Sequence, residues 1–301
     1  MPDAHEKVSF PEQIARNKRQ TVVVEGIMLL ILFAVVYLVG AILGTPPVVT
    51  GVLAALVSLL YVGFTYANAT STVLLAAEAR PANPAVREEK LLQYKVEEMA
   101  LAAGLPVPQV YVQDSRDINA FATGLAPEKS VICVTRGAIE QLSQEELEGV
   151  IGHEMSHVAN YDVRLATVTI GVVGAIAMLA EIGLRMLWWR GGGRDRKVNP
   201  ALLVVALAAL ILAPLVSRLV YLMLSRRREY LADATGVKLT RNPQGLADAL
   251  EKIKGDLPDD PKGSRTAAGL YIANPWNHLS VSSVWSTHPP LDERIRRLRA
   301  M

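Results

Sequence analysis

The string GVIGHEMSHVANYD, Gly149 to Asp162, sets two histidines four residues apart with a glutamate directly after the first. The chain has only five histidines in 301 residues. At that density an H-E-x-x-H pattern arises by accident on the order of once in a hundred such chains. On a helix, positions four apart lie about 40° apart around the axis and about 6 Å along it, so His153 and His157 project one above the other. Two imidazoles so placed can grip one metal ion. Glu154 is turned about 100° from His153, which leaves its carboxylate beside the ion and free to take a proton from water activated there. Zinc, Zn2+, is the expected ion, because it favours imidazole, is redox-silent and keeps one position open in catalytic sites.

A catalytic zinc needs a third protein ligand, and Glu229 in REYLADATG is assigned that place. Asp233 follows at i+4 on the same helical face, where its carboxylate can accept the spare ring N–H of a ligand histidine and fix its tautomer. The elements that must hold these groups are legible around them. LSQEELEGVIGHEMSHVANYD opens with Ser143 as an N-cap and Glu146 three positions on, a capping box that starts the helix carrying the histidines. SRRREYLADATGVKLT continues as a second helix. REEKLLQYKVEEMALAAGLP places Leu91, Leu92, Val96, Met99 and Leu101 among charges and ends on Gly104 and Pro106, an amphipathic helix with its stop. PQVYVQDS, NAFATG and SVICVT are short apolar or alternating runs separated by turn residues, which predicts a small sheet.

Hydrophobic residues make up 51% of the chain and charged residues 20%, so membrane and water-facing parts are mixed. A net charge of +2 with dispersed basic residues excludes a nucleic-acid binder. Cys133 is the only cysteine, which rules out an intrachain disulfide and any cysteine-type zinc site; it is expected in a buried strand. Four long apolar runs, Thr21 to Leu43, Val48 to Ala69, Val163 to Trp188 and Ala201 to Leu224, each reach the roughly 20 residues a span requires. Gly44, Thr45, Pro46 and Pro47 leave room only for a tight turn between the first two.

Four motifs, DSRDINAFATG, GHEMSHVANYD, EYLADATG and STHPPLDERI, occur in the order seen in HtpX-type membrane zinc metalloproteases, and the chain resembles that family and its relatives, the type I CAAX prenyl proteases. The resemblance implies a mainly α fold, integral membrane helices joined to a zincin-like α+β metalloprotease domain with a small β-sheet. It makes His153, His157 and Glu229 zinc ligands and Glu154 the general base. It also implies a strand edge for the substrate, either NAFATG through Asn119, Ala120, Phe121 and Ala122, or SVICVT, where peptide adds as a strand. His288 in THPPLDER is implied near the metal, as an oxyanion donor or a resting-state ligand, against the plain alternative of a histidine shaping a Pro turn. His5 and His278 have no partner motif.

The expected organisation is a cytoplasmic leader 1–20, a transmembrane hairpin 21–76, a soluble catalytic part 77–162, a second hydrophobic hairpin 163–224, and a C-terminal catalytic part 225–301 bringing the third ligand. Because His153 precedes the third apolar run and Glu229 follows the fourth, both runs must span or neither does. Lys7, Arg16, Lys18 and Arg19, with Arg226, Arg227 and Arg228, place the termini and the site on the cytoplasmic side of the plasma (inner) membrane. Arg190, Arg194, Arg196 and Lys197 in the loop between the last two runs conflict with that, and Glu181, Arg185 and Arg218 within them keep an interfacial hairpin open. The expected partners are the lipid bilayer and membrane or unfolded polypeptide substrates, with no nucleic acid and no expectation about oligomeric state. A prenyl-protein protease and a catalytically silent zinc-stabilised scaffold or chaperone are the alternatives. The retained Glu154 argues against the second.

Overall fold

The computed structural model describes residues 10–42, 44–168, 226–256, 262–263, 269–275 and 289–301. The expectations for His5, His278 and His288, for the third and fourth apolar runs from residue 169 onward, and for the charged loop between them lie outside the described residues. Helix α1, Phe10–Ile42, is followed by α2, Pro47–Ala76. From Phe10 onward the leader continues without a break into the first apolar run as one helix, because nothing after Pro11 interrupts the pattern. The turn between α1 and α2 is closed by Gly44 N–H donating to Ala41 and Thr45 N–H donating to Gly40. Gly44 takes φ +77° there, the left-handed conformation such a helix stop requires.

Among the described residues, α2 is the one helix long and apolar enough to cross a membrane by length and composition, with a mean hydropathy of 2.1. Its large apolar side chains, from Val52, Leu53 and Leu56 to Leu60 and Phe64, are exposed over a broad face, while Thr50, Ala54, Ser58 and Ala69 are buried on the other.

The described residues fall into two compact units. One comprises those of Met1–Gln20, Thr70–Thr167 and Met223–Met301; the other comprises those of Thr21–Ala69 and Val168–Leu222. The first unit carries the chemistry. Its strands are β1, Ala79–Pro81; β2, Gln109–Gln113; β3, Ala120–Gly124; and β4, Ser130–Thr135, in the order β1-β2-β4-β3. β2 and β4 run parallel with Val112 opposite Val134, while β3 is antiparallel to β4 with Phe121 opposite Cys133. SVICVT is thus the buried interior strand β4, paired on both sides, and cannot accept an added strand. The NAFATG segment supplies the edge strand β3, and Asn119 lies just before it. Cys133 sits buried in β4, as its type implied.

Helix α3, Arg87–Ala103, is the amphipathic helix read from the sequence, with Leu92, Val96 and Met99 buried. A short α4, Arg136–Gln141, leads into α5, Gln144–Ala159, whose Ser143–Glu146 capping box is formed in full. Helices α6, Arg226–Thr240; α7, Pro243–Gly255; and α8, Leu291–Leu298, complete the unit. The central helix is α5, packed against α6, α7, α3, β3 and β4. Leu147, Val150, Ile151, Met155 and Val158 bury its apolar side in a core with Ile132, Leu246, Leu250 and Ile272. Each such side chain contributes about 1.5–3 kcal/mol by leaving water, which makes α5 a rigid platform for the polar groups it carries.

The contact of α5 with α6 depends on glycine. A Cβ on Gly236 would stand 2.9 Å from the His153 backbone nitrogen and 3.1 Å from the Gly152 carbonyl carbon. The two helices approach backbone to backbone there, and this brings α6 close enough for Glu229 to reach the histidines. Gly236→Val is accordingly expected to cost about 1–3 kcal/mol of stability through overpacking and to weaken metal binding by spreading α5 from α6. Denaturant unfolding and chelator competition on the same preparation check this; wild-type values in both would show that the approach is not critical.

Candidate metal centre

His153 and His157, one turn apart on α5, turn their Nε2 atoms toward each other at 3.2 Å. Glu229 faces them from the first turn of α6, with Oε2 3.7 Å from His153 Nε2 and Oε1 3.8 Å from His157 Nε2. One atom from each of the three residues lies within 4.8 Å of the others. Two nitrogens bound at about 2.0–2.1 Å to a tetrahedral ion stand about 3.3–3.4 Å apart, so the imidazoles already have close to the spacing of a ligand pair. The three residues therefore fit a divalent metal, and the sequence assignment of Glu229 coincides with the geometry.

The far side of each ring is fixed by a carboxylate. His153 Nδ1 lies 2.9 Å from Asp233 Oδ1 and His157 Nδ1 lies 3.2 Å from Asp162 Oδ2. Each carboxylate accepts an N–H from Nδ1 and thereby leaves the Nε2 lone pair for the metal. Asp233 holds the position expected from the sequence. Asp162 is new. It follows the end of α5 in the quoted string, and the chain turns it back toward His157 through Tyr161, which adopts φ +58°. Asn17 of α1 in turn donates from Nδ2 to Asp162 Oδ1 at 2.6 Å and to the Asn160 carbonyl at 2.9 Å. Lys18, next on α1, lies over the Tyr161 ring at 4.1 Å. A sequence signal for Asp162 existed, a carboxylate shortly after the second histidine; none existed for Asn17.

Burial dominates the electrostatics. It pushes the His153 pKa down to about 4, aided by the Arg294 charge and opposed by Asp233. For His157 burial also acts downward, but Asp162 and Glu229 outweigh it and raise the pKa to about 9. His153 thus offers a neutral ring at once, whereas His157 must release a proton as a cation enters. Glu154, Glu229, Asp162 and Asp233 are all buried, and the guanidiniums paired with them, Arg294 and Arg228, leave an excess of negative charge that suits a divalent cation.

Glu154 is fully buried beside the pair. The Ala122 backbone N–H of β3 faces it and favours its charged form. Its Oε1 has no hydrogen-bond partner among the described residues. Burial raises its pKa to about 7 before any metal is bound, within the range where a carboxylate can both take and return a proton.

The β3 edge is partly engaged by the chain itself. The Ala120 carbonyl accepts from Ile272 N–H at 2.9 Å, and Gly124 N–H donates to Thr167 Oγ1 at 3.0 Å. Asn119 Nδ2 donates to the Ala273 carbonyl at 2.8 Å, and the Phe121 ring packs edge-on against Tyr271 at 5.1 Å. Of the four residues expected to meet substrate, Ala122 is the one beside Glu154, while Asn119, Ala120 and Phe121 hold the 271–273 segment in place. The structure also supplies a buried residue that the sequence reading passed over in STHPPLDERI, namely Arg294.

An H-E-x-x-H helix with a facing carboxylate, oriented imidazoles and a buried glutamate fits a metallopeptidase. The model of peptidase family M48 matches residues 86–301, and the chain belongs to that family. It is 40% identical over 301 residues to the "Protease HtpX homolog" of Streptococcus uberis, covering 96% of this chain and 99% of that one. It is 42% identical over 299 residues to the protein of the same name from Lactobacillus acidophilus, with the same shares covered. Among solved structures, S. mikatae Ste24p aligns with a TM-score of 0.48 at 18% identity, over 95% of this chain and 66% of that one.

Asp162→Asn is expected to weaken metal binding by about 10–100-fold, the usual consequence of losing the hydrogen-bond partner of a ligand imidazole. Chelator competition measures it, and an unchanged dissociation constant would remove Asp162 from the metal centre.

Proposed function

We propose that this metallopeptidase is a membrane-embedded zinc endopeptidase acting on membrane or unfolded polypeptides, with its site at the cytoplasmic face of the plasma (inner) membrane. The observation that carries the chemistry is the convergence of His153, His157 and Glu229, with the uncommitted Glu154 Oε1 beside them. His153, His157 and Glu229 would hold the zinc, which when bound would polarise the scissile carbonyl and lower the pKa of water so that it can be deprotonated near neutral pH. Glu154 takes the proton of the attacking water at Oε1 and returns it to the leaving amine nitrogen. The Ala122 N–H of β3 faces that carboxylate and favours its charged form. Asp233 and Asp162 keep the two rings turned, and the burial of all these groups strengthens each interaction. No acyl-enzyme is needed, and Cys133 is unsuited to forming one, being enclosed in β4 with its thiol pushed up by burial.

The substrate main chain lies along β3 near Ala122, which permits many side chains and therefore broad specificity. By its place in the THPPLDER segment, His288 is assigned near the metal, as oxyanion donor or as resting-state ligand. The exposed apolar face of α2 supports a bilayer beside it. The apolar part of α1 is a second span, the two later runs both cross or both lie at the interface, and the basic residues of the leader favour the cytoplasmic side. A role in protein quality control rests on the resemblance to HtpX-type proteases alone.

The test uses the full chain purified in detergent. Cleavage of an unfolded test protein and of the chain itself should stop with chelator and return with added zinc. Chelator-insensitive cleavage would exclude the reading, and cleavage confined to a farnesylated peptide would redirect it to prenyl-protein processing.

A further inference from the structure

Arg294 is the largest fully buried side chain in the described structure, 0% exposed. A guanidinium removed from water is costly unless every donor is answered, and the answers here all lead to the metal centre. Nε donates to Asp233 Oδ2 at 2.9 Å and Nη2 to Asp233 Oδ1 at 2.7 Å, a two-pronged grip that a lysine cannot reproduce. Nη1 donates to the Ile272 carbonyl at 3.1 Å and lies 3.7 Å from Glu229 Oε2. Nη2 also lies 3.4 Å from His153 Nδ1.

Asp233 is thereby denied rotation. Both its oxygens are held by the fork, and Oδ1 is the same atom that faces His153 Nδ1 at 2.9 Å. On the other side, the residue whose carbonyl Arg294 holds, Ile272, donates its N–H to Ala120 on the edge of β3. One planar cation from α8 therefore joins the orientation of a ligand imidazole on α5 to the chain segment flanking the strand beside Glu154. A charge needed only to neutralise buried acids would not require this geometry.

We propose that Arg294 is a positioning residue: acting through Asp233 it sets the ring of His153 for metal binding, and through Ile272 it holds the metal centre and the β3 edge in fixed relation. The proposal rests on the reading of His153, His157 and Glu229 as metal ligands.

The test uses the full-length protein with cobalt(II), following the visible spectrum and the dissociation constant by chelator competition for the wild type, R294K, R294M, D233N and R294M/D233N. R294M should weaken cobalt binding by about 10–100-fold, as for other groups that orient a metal ligand, and shift the cobalt bands. R294K keeps the charge but not the fork, so it should show an intermediate loss with a shifted spectrum, and it decides the matter if R294M does not fold. In the D233N background, R294M should add less than about threefold, because the two residues act as one unit. Wild-type affinity and spectrum in R294K, or full multiplication of the two effects in the double variant, would overturn the role assigned to Arg294. Failure of the ligand reading looks different: the wild type and H153A would bind cobalt equally poorly.

Discussion

Glu154→Gln is expected to keep full metal content while peptide hydrolysis falls by about 10²–10⁴-fold or more, the range that general acid–base catalysis supplies. The substitution is nearly isosteric and leaves His153, His157 and Glu229 untouched. It removes a carboxylate beside them able to accept the proton of water, one whose Oε1 has no hydrogen-bond partner among the described residues. The Gln side chain can still face the Ala122 N–H, so β3 should stay in place. Metal analysis and an activity assay on the same sample decide the matter. Wild-type turnover with metal bound would show that another group carries the proton.

Glu229→Ala should have the larger effect on the metal itself. It leaves two imidazoles where a catalytic site requires about three protein ligands, and it removes negative charge from a buried cluster that already contains the Arg294 and Arg228 guanidiniums. Metal content should fall from about one ion per chain to a small fraction of that. Asp233→Ala should weaken binding by about 10–100-fold without abolishing it, because it touches the metal only through His153. The order is the critical outcome. If Asp233→Ala lost metal more completely than Glu229→Ala, the two roles would have to be exchanged.

Local physics made much of this centre readable in advance. The H-E-x-x-H spacing, the Ser143–Glu146 capping box and the Glu229–Asp233 pair are each set within one or two turns of a helix, where periodicity dictates which side chains share a face. The same holds for the helix stops at Gly44 and Gly104, both with positive φ. What the sequence did not disclose depends on distant pairings. Asn17 reaches Asp162 across 145 positions and Arg294 reaches Asp233 across 61. No periodicity links such residues; they meet because Asn17 of α1 lies at the end of α5 and α8 packs against the middle of α6. The choice between the two strands stayed open for a related reason. NAFATG and SVICVT are similar as strings, and only the order β1-β2-β4-β3 makes one an edge and the other an interior strand. The partial cover of that edge by Ile272 and Ala273 comes from a segment without regular structure, which leaves no pattern to read.

The most direct measurement is zinc K-edge X-ray absorption on the purified full-length protein, paired with its zinc-to-protein ratio. The account predicts about one zinc per chain, with a first shell of two imidazole nitrogens and carboxylate oxygen at about 2.0–2.2 Å, and loss of the imidazole signature in His153→Ala. A site without imidazole, or one unchanged in His153→Ala and Glu229→Ala, would contradict it.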